Sequence, residues 1–288
     1  MKKVLVTGGT GYIGTKFRDW IESYAGDISL EFISVRDELW KTKDFSQYDT
    51  VLHLAGIAHV SRNPKFKELY YKVNRDLSIE LAEKAKKERV KQFIFMSSII
   101  VYGFQTKSIS INTLPVPDDF YGESKLQADL KIQSMHDDKF KTLVIRTPVV
   151  YGPGCKGNFP KLIRNLNKVL IFPSFESKKS MIYIDNLLVL IEKSILNESY
   201  GVFLPQNKEY MSTKKIFEIS SDILNKKIFF IRLFNPLINK MIEKNGFMYK
   251  IFGNKYYSKE DHSNIEYQIV ENKESIIKYI NNELQTGE

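Results

Sequence analysis

The chain begins MKKVLVTGGTGYIGTKF, residues 1–17, and the four glycines between Gly8 and Gly14 decide how the rest is read. They follow a short apolar run, Lys3 to Val6, and precede a helical pattern from Tyr12 to Tyr24. Gly9-x-Gly11-x-x-Gly14 in that strand-to-helix setting is the spacing of a dinucleotide-binding turn. Glycine accepts the left-handed conformations of a tight turn at little cost. A missing side chain at Gly11 admits a pyrophosphate to the backbone, and one at Gly14 lets helix and strand touch. The helix N-terminus then offers free N–H groups and the positive end of its dipole to the phosphates. Gly8, Gly11, Tyr12, Ile13 and Gly14 are therefore the expected phosphate cradle. A tight turn without a ligand is the alternative.

Outward from this turn the hydrophobic pattern alternates in type. Leu30 to Val35, Thr50 to Leu54, Gln92 to Met96 and Thr142 to Ile145 read as short buried strands. Phe66 to Lys87 and Lys125 to His136 read as helices between them. Strands separated by helices make parallel βαβ units, which gives an α/β, Rossmann-like, doubly wound parallel sheet. Right-handed crossovers place helices on both faces. After Arg146 the rhythm weakens. Residues 161–168, 213–224 and 236–249 look helical, Lys227 to Leu233 looks strand-like, and Asp185 to Asn197 is an amphipathic helix that should pack back on the sheet. The division expected is a dinucleotide-binding domain over 1–155, joined by 181–197, and a smaller substrate-binding region over 156–288. No linker, repeat or low-complexity tract separates them.

Composition narrows the function. Of 288 residues, 43% are hydrophobic and 27% charged, which is ordinary for a globular chain. The net charge of +9 comes from scattered lysines with acids among them, not from a basic face with a nucleic-acid motif. No stretch reaches the roughly 18 apolar residues of a membrane span. Cys155 is the sole cysteine, so no internal disulfide forms; this fits a reducing cytosol and sets the expectation of a cytoplasmic protein. No histidine stands near Cys155 in the sequence to activate it, and a small loop residue is the simpler reading. His53, His59, His136 and His262 lack metal-ligand spacing, and no metal is expected. His53 should be a packed residue beside the cofactor. The tyrosine-rich stretch FMYKIFGNKYY, residues 247–257, reads as core or substrate cap, with a partner- or membrane-facing surface as the alternative.

Two further signals concern chemistry. At the end of the second strand an acid would bond the ribose 2′-hydroxyl of NAD, and an arginine would accommodate the 2′-phosphate of NADP. The sequence there is ISVRDE, with Arg36 next to Val35, which favours NADP(H); a shift of one residue hands the position to Asp37 and leaves NAD(H) open. Tyr121 and Lys125, in YGESK, lie one helical turn apart on the same face. A lysine ammonium beside a tyrosine favours the phenolate and lowers its pKa from near 10, which suits proton exchange with a hydroxyl or carbonyl. Ser97 and Ser98 end the strand before this helix, where ligands bind in open α/β sheets.

Together, VTGGTGYIG, HLAG (53–56), Val73-Asn74, SSIIVYG, YGESK, RTPVVYGPG and SMIYIDNL resemble, in order from Val6 to Leu187, the extended short-chain dehydrogenase/reductases of the nucleotide-sugar epimerase/dehydratase group. The resemblance implies that Tyr121 and Lys125 are the catalytic pair and that Ser98, rather than Ser97, holds the substrate oxygen. It implies that Leu54, Ala55, Gly56 and Asn74 line the cofactor, with Tyr121 and Lys125 touching it as well. It places Asn158 near the diphosphate of a UDP-sugar, and Lys179 where many relatives have an arginine facing that diphosphate; lysine keeps the charge and loses the fork. IYIDN replaces a commoner histidine version. Several stretches, CKGNFPKL and FGNKYYS among them, are similar to bacterial capsule-biosynthesis enzymes that reduce a 4-keto UDP-sugar. The leading expectation is thus C4 reduction of a UDP-4-keto-6-deoxy-N-acetylhexosamine in surface polysaccharide precursor synthesis. The alternative is a UDP-hexose or UDP-N-acetylhexosamine 4-epimerase with tightly bound NAD. A non-catalytic dinucleotide sensor would be expected to lack the Tyr/Lys pair. A homodimer through helices is a further implication of the resemblance.

Overall fold

The computed structural model describes residues 1–24, 26–58, 63–166, 168–260 and 264–286. In chain order the strands are β1 (Lys2–Thr7), β2 (Ile28–Ile33), β3 (Thr50–His53), β4 (Gln92–Ser98), β5 (Ser108–Ile109), β6 (Lys141–Thr147), β7 (Val149–Tyr151), β8 (Ile171–Pro173), β9 (Met181–Tyr183), β10 (Gly201–Phe203), β11 (Phe229–Ile231) and β12 (Tyr256–Tyr257). The α-helices are α1 (Tyr12–Tyr24), α2 (Lys67–Tyr70), α3 (Leu77–Lys87), α4 (Phe120–Gln133), α5 (Asn158–Leu166), α6 (Ile184–Leu196), α7 (Thr213–Ile223), α8 (Asn235–Ile242), α9 (Gly246–Phe252) and α10 (Asn272–Thr286).

Six strands form one sheet in the order β10-β6-β4-β3-β1-β2, every pair parallel. Strand side chains alternate between faces, and two apolar layers follow from that alternation. Val4, Val6, Ile94, Met96, Leu143 and Ile145 point to a layer shared with α1 and α6. Leu5, Phe93, Phe95 and Val144 point to the opposite layer, shared with α3 and α4. The sheet is covered on both sides, as an all-parallel sheet requires. The first layer also holds Met211, Val270, Ile276 and Tyr279, so the chain after Arg146 shares a core with the sheet. From β1 the chain builds β2 on one side and then β3 on the other. That reversal opens a crevice at the carboxyl ends of β1 and β3, where ligands of such sheets sit.

Several boundaries differ from the sequence reading. β2 ends at Ile33, two residues before Val35, because Ile33 is the last residue with a partner: it pairs with Thr7, after which β1 gives way to the glycine turn. The helical stretch before β4 is composite, a 3-10 turn at Pro64–Phe66, α2, a π-helical segment Tyr71–Asp76, then α3. α4 begins at Phe120, capped by the Asp119 side chain, which accepts from Gly122 N at 2.9 Å. β10 and α10 were not anticipated.

Candidate active site

Among the glycines after β1, Gly8 has the left-handed backbone, with φ of 75°. A Cβ on it would lie 2.6 Å from Ala55 N, so only glycine lets β1 and the loop after β3 approach. A Cβ on Gly14 would lie 2.5 Å from Gly8 O, and this contact seats α1 on the turn. At Gly11 a Cβ would meet only Gly8 O, at 3.2 Å, and the space above the turn is otherwise open. The Tyr12 hydroxyl is directed at Gly152 and Ile184, so it is the amides of Tyr12 and Ile13, at the helix start, that remain for an anion. This cradle fits a dinucleotide pyrophosphate.

Loop 54–57 is fixed by Asn74 in the π-helical segment. Asn74 is fully buried; its Oδ1 accepts from Ile57 N and its Nδ2 donates to Ile57 O, both at 2.9 Å. A π-turn adds a residue to a helix and often marks a functional site; here it aims the amide at the loop. A directed hydrogen-bond chain, not anticipated from sequence, braces the same loop. Ser78 Oγ donates to Asn74 O at 2.9 Å, since a carbonyl can only accept. Ser78 Oγ therefore accepts from His53 Nε2–H at 2.9 Å, and His53 Nδ1 accepts from the Thr7 hydroxyl at 2.7 Å. Thr7 Oγ1 in turn accepts from Ala55 N at 3.3 Å. Burial drives the imidazole pKa down to about 3, so the ring is neutral. His53 sat in the quoted HLAG stretch as a packed residue, but its partners Thr7 and Ser78 carried no sequence signal.

Lys125 is buried against this loop. A Cβ on Gly56 would be 3.1 Å from Lys125 Nζ and 3.0 Å from Asn74 Oδ1. The ammonium donates to Met96 O at 3.0 Å and lies 4.7 Å from the Phe95 ring centroid. Tyr121, one turn back, has the Ser98 hydroxyl near enough to lower its phenol pKa. Ser98 itself caps a 3-10 turn, Ile99–Tyr102, by accepting from Ile100 N. Ser97 points the other way and donates to Asp129 Oδ2 at 2.7 Å. The structure thus gathers Ser98, Tyr121, Lys125, Asn74 and Gly56 near one another, beside the loop that packs on the glycine turn.

The electrostatics correct one expectation. Burial pushes the Tyr121 phenol up to about 12, against a smaller lowering by Ser98. Burial likewise pulls the Lys125 ammonium down to about 8, against Asp129, which favours its charge. Desolvation outweighs mutual assistance because the Lys125 ammonium is engaged by the Met96 carbonyl and turned toward Gly56.

A buried ion pair anchors α4 to the sheet. Arg146 donates to Asp129 from Nε and Nη2, each at 2.9 Å, and from Nη1 to Tyr102 OH at 2.6 Å. Both side chains are almost wholly buried. Arg146 lies within the RTPVVYGPG stretch, and nothing in the sequence points to Asp129 as its partner.

Other expected residues stand apart from this cluster. Arg36 is exposed three residues beyond β2, and Ser34 rather than Arg36 directly follows the strand. Asp37 caps the 3-10 turn Glu38–Thr42 by accepting from Leu39 N. Asn158 is exposed at the start of α5. Lys179 Nζ donates to Lys250 O at 2.5 Å and Ile251 O at 2.7 Å, closing the end of α9, and burial lowers its pKa to about 8. Cys155 is buried, which raises its thiol pKa. His59 and His262 lie outside the described residues. Among the described residues no group of three or more His, Cys, Asp or Glu could hold a metal ion, and no helix is long and apolar enough to cross a membrane.

Comparison with known proteins gives four findings. The model of the NAD dependent epimerase/dehydratase family matches residues 4–202. A UDP-glucose 4-epimerase of Vibrio cholerae is 29% identical over 272 residues, covering 83% of each chain. The N-acetyl-alpha-D-glucosaminyl-diphospho-ditrans,octacis-undecaprenol 4-epimerase of Escherichia coli O157:H7 is 26% identical over 256 residues, covering 81% of this chain and 76% of that one. Among solved structures, a UDP-N-acetylglucosamine 4-epimerase from Methanobrevibacter ruminantium M1 superimposes with a TM-score of 0.76 at 21% identity, covering 99% of each chain; this likeness establishes the shared fold.

Proposed function

Because the chain belongs to the NAD dependent epimerase/dehydratase family, and so is an NAD(P)-dependent oxidoreductase or epimerase of the extended short-chain dehydrogenase type, we propose that it inverts C4 of a UDP-hexose or UDP-N-acetylhexosamine in the cytoplasm. The observation that carries this reading is the Tyr121 phenol, with the Ser98 hydroxyl as a pKa-lowering neighbour, one helical turn from a lysine ammonium lodged against the cofactor loop. The direction from reduction toward epimerisation is supported by the two curated 4-epimerases, each aligned over most of the chain.

A bound nicotinamide dinucleotide supplies the hydride acceptor and donor. Gly8, Gly11 and the amides of Tyr12 and Ile13 would hold its phosphates; Gly56, Asn74 and Lys125 would line its nicotinamide end. C4 inversion begins with oxidation, so Tyr121 would act first as the phenolate, taking the C4 hydroxyl proton as C4 gives up its hydride and becomes a ketone, and then as the phenol, returning that proton to the C4 oxygen as the hydride comes back on the opposite face. Ser98 holds that oxygen during the exchange. Lys125 supplies a fixed positive charge one turn from the phenol, which favours the transient phenolate. Asn158 would approach the diphosphate; Lys179 would reach it only by releasing α9.

The test is incubation of the purified protein with UDP-glucose and UDP-N-acetylglucosamine without added cofactor, followed by chromatographic separation. The expected products are the C4-inverted sugars. Finding no inversion with either sugar, cofactor present or absent, overturns the reading. One observation favours C4 reduction with NADPH instead: no acid follows β2 directly, and Arg36 is an exposed cation nearby. That reading requires loss of NADPH absorbance with a UDP-4-keto sugar and fails if NADPH is not consumed.

A further inference from the structure

We propose that the outer surface formed by β8, β11 and α8 binds the face of an anionic phospholipid bilayer, docking the protein peripherally. The observation is a run of large apolar side chains left in water. Ile171 and Phe229 are opposite one another across the β8–β11 pairing, and both are exposed, Phe229 at 64%. The chain then passes through Leu233, exposed at 79%, and Phe234 into α8, where Leu237 and Met241 continue the exposed surface. α8 is amphipathic in an unusual sense. Ile238 is its buried side, while Leu237 and Met241, four apart, make a second apolar stripe that faces solvent. Patches of this kind on a monomer mark an interaction surface.

Charge identifies the occupant. Between residues 226 and 244 the chain carries Lys226, Lys227, Arg232, Lys240 and Lys244 against a single acid, Glu243. Lys227, Arg232, Lys240 and Lys244 are exposed, and none forms an ion pair among the described residues. Lys240 lies on α8 beside the Leu237–Met241 stripe, and Lys244 lies in the turn that follows the helix. Leucine and phenylalanine with flanking lysines is the composition of an interfacial element, in which apolar groups enter the acyl boundary and cations stay with the headgroups. A second copy of the chain would bring this cationic rim against itself, whereas an anionic surface complements it.

The test is co-sedimentation of the full chain with vesicles of phosphatidylglycerol and phosphatidylcholine, against vesicles of phosphatidylcholine alone. Binding to the mixed vesicles is expected, weakening as salt is raised. Lys240→Glu with Lys244→Glu should weaken partitioning by at least about fivefold per position. Leu233→Ser with Leu237→Ser should abolish it, with an unchanged circular dichroism spectrum, since both side chains already face water. Three results overturn the proposal: no binding to mixed vesicles, binding undiminished in both variants, or concentration-dependent dimerisation by sedimentation velocity that the serine variant removes.

Discussion

Burial moves the titrations of Tyr121 and Lys125 in opposite directions from their values in water. The phenol is made harder to ionise, to about 12, and the ammonium easier to discharge, to about 8. Replacing Tyr121 by Phe removes the proton donor while leaving the packing against Tyr70. Turnover should fall by about 10²- to 10⁴-fold, with dinucleotide binding retained in a fluorescence titration. Lys125 predicts a stability effect of definite sign. Its folded pKa lies below the unfolded 10.5, so the unfolded chain binds more protons between about pH 8 and 10.5, and stability rises with pH there. Below pH 8 the burial cost is fully present, on the order of 3 kcal/mol. Lys125→Met should therefore be inactive yet more resistant to urea at pH 7, and its advantage should shrink by pH 9.5. Measurement stops there because Tyr121 begins to act in the other direction above pH 10. His53 acts on the acid side. With a folded pKa of about 3, it contributes stability above pH 6.5 that is lost as pH falls through the unfolded value toward 3. The wild type should lose urea resistance between pH 7 and pH 5 more steeply than His53→Gln.

At the scale of elements, the glycine turn and α4 do different work. Gly8→Ala must place a Cβ at a left-handed position and within 2.6 Å of a backbone nitrogen. It should cost several kcal/mol, on the order of the larger single-substitution effects, and abolish folding or leave it marginal in thermal melts. Gly11→Ala meets only one oxygen at 3.2 Å. It should fold nearly as well as the parent and lose affinity for dinucleotide, because the new methyl fills space a phosphate needs. α4 is secured by Asp129 and Arg146. Asp129→Ala leaves a buried guanidinium without its counter-ion, and such losses run at about 3–5 kcal/mol. The spacing of Tyr121 and Lys125 and the glycine pattern were legible because both are local: a turn needs glycine and a helix repeats every 3.6 residues. The end of β2 was not, because Ile33 stops where its neighbour β1 turns away. Nor was the role of Ser78 and Asp129, whose partners lie 25 and 17 residues off in sequence.

For the whole molecule, the doubly wound sheet could be read in advance because its strands are short apolar runs buried on both faces. The later chain resisted reading for a physical reason. β10 is three residues long and exists by pairing with β6. α10 carries several polar residues, yet Ile276, Tyr279 and Ile280 are buried in the same layer as α1 and α6. Only the assembled core shows that need. A chain ending at Glu271 would uncover this layer; it should aggregate or melt far below the parent in a thermal shift assay. The crevice itself, by contrast, follows from strand order alone, since the switch between β1 and β3 lies beside Gly8.

The single wide helical turn at Tyr71–Asp76 has an engineering consequence. It is an inserted amino acid's worth of slack in an otherwise regular rod. Excising Lys72 would let α2 run straight into α3, and the repaired rod should be the sturdier one. Its rotation, about 100° per residue removed, would also swing Asn74 off the peptide it clamps. Durability and turnover would then part company in one deletion.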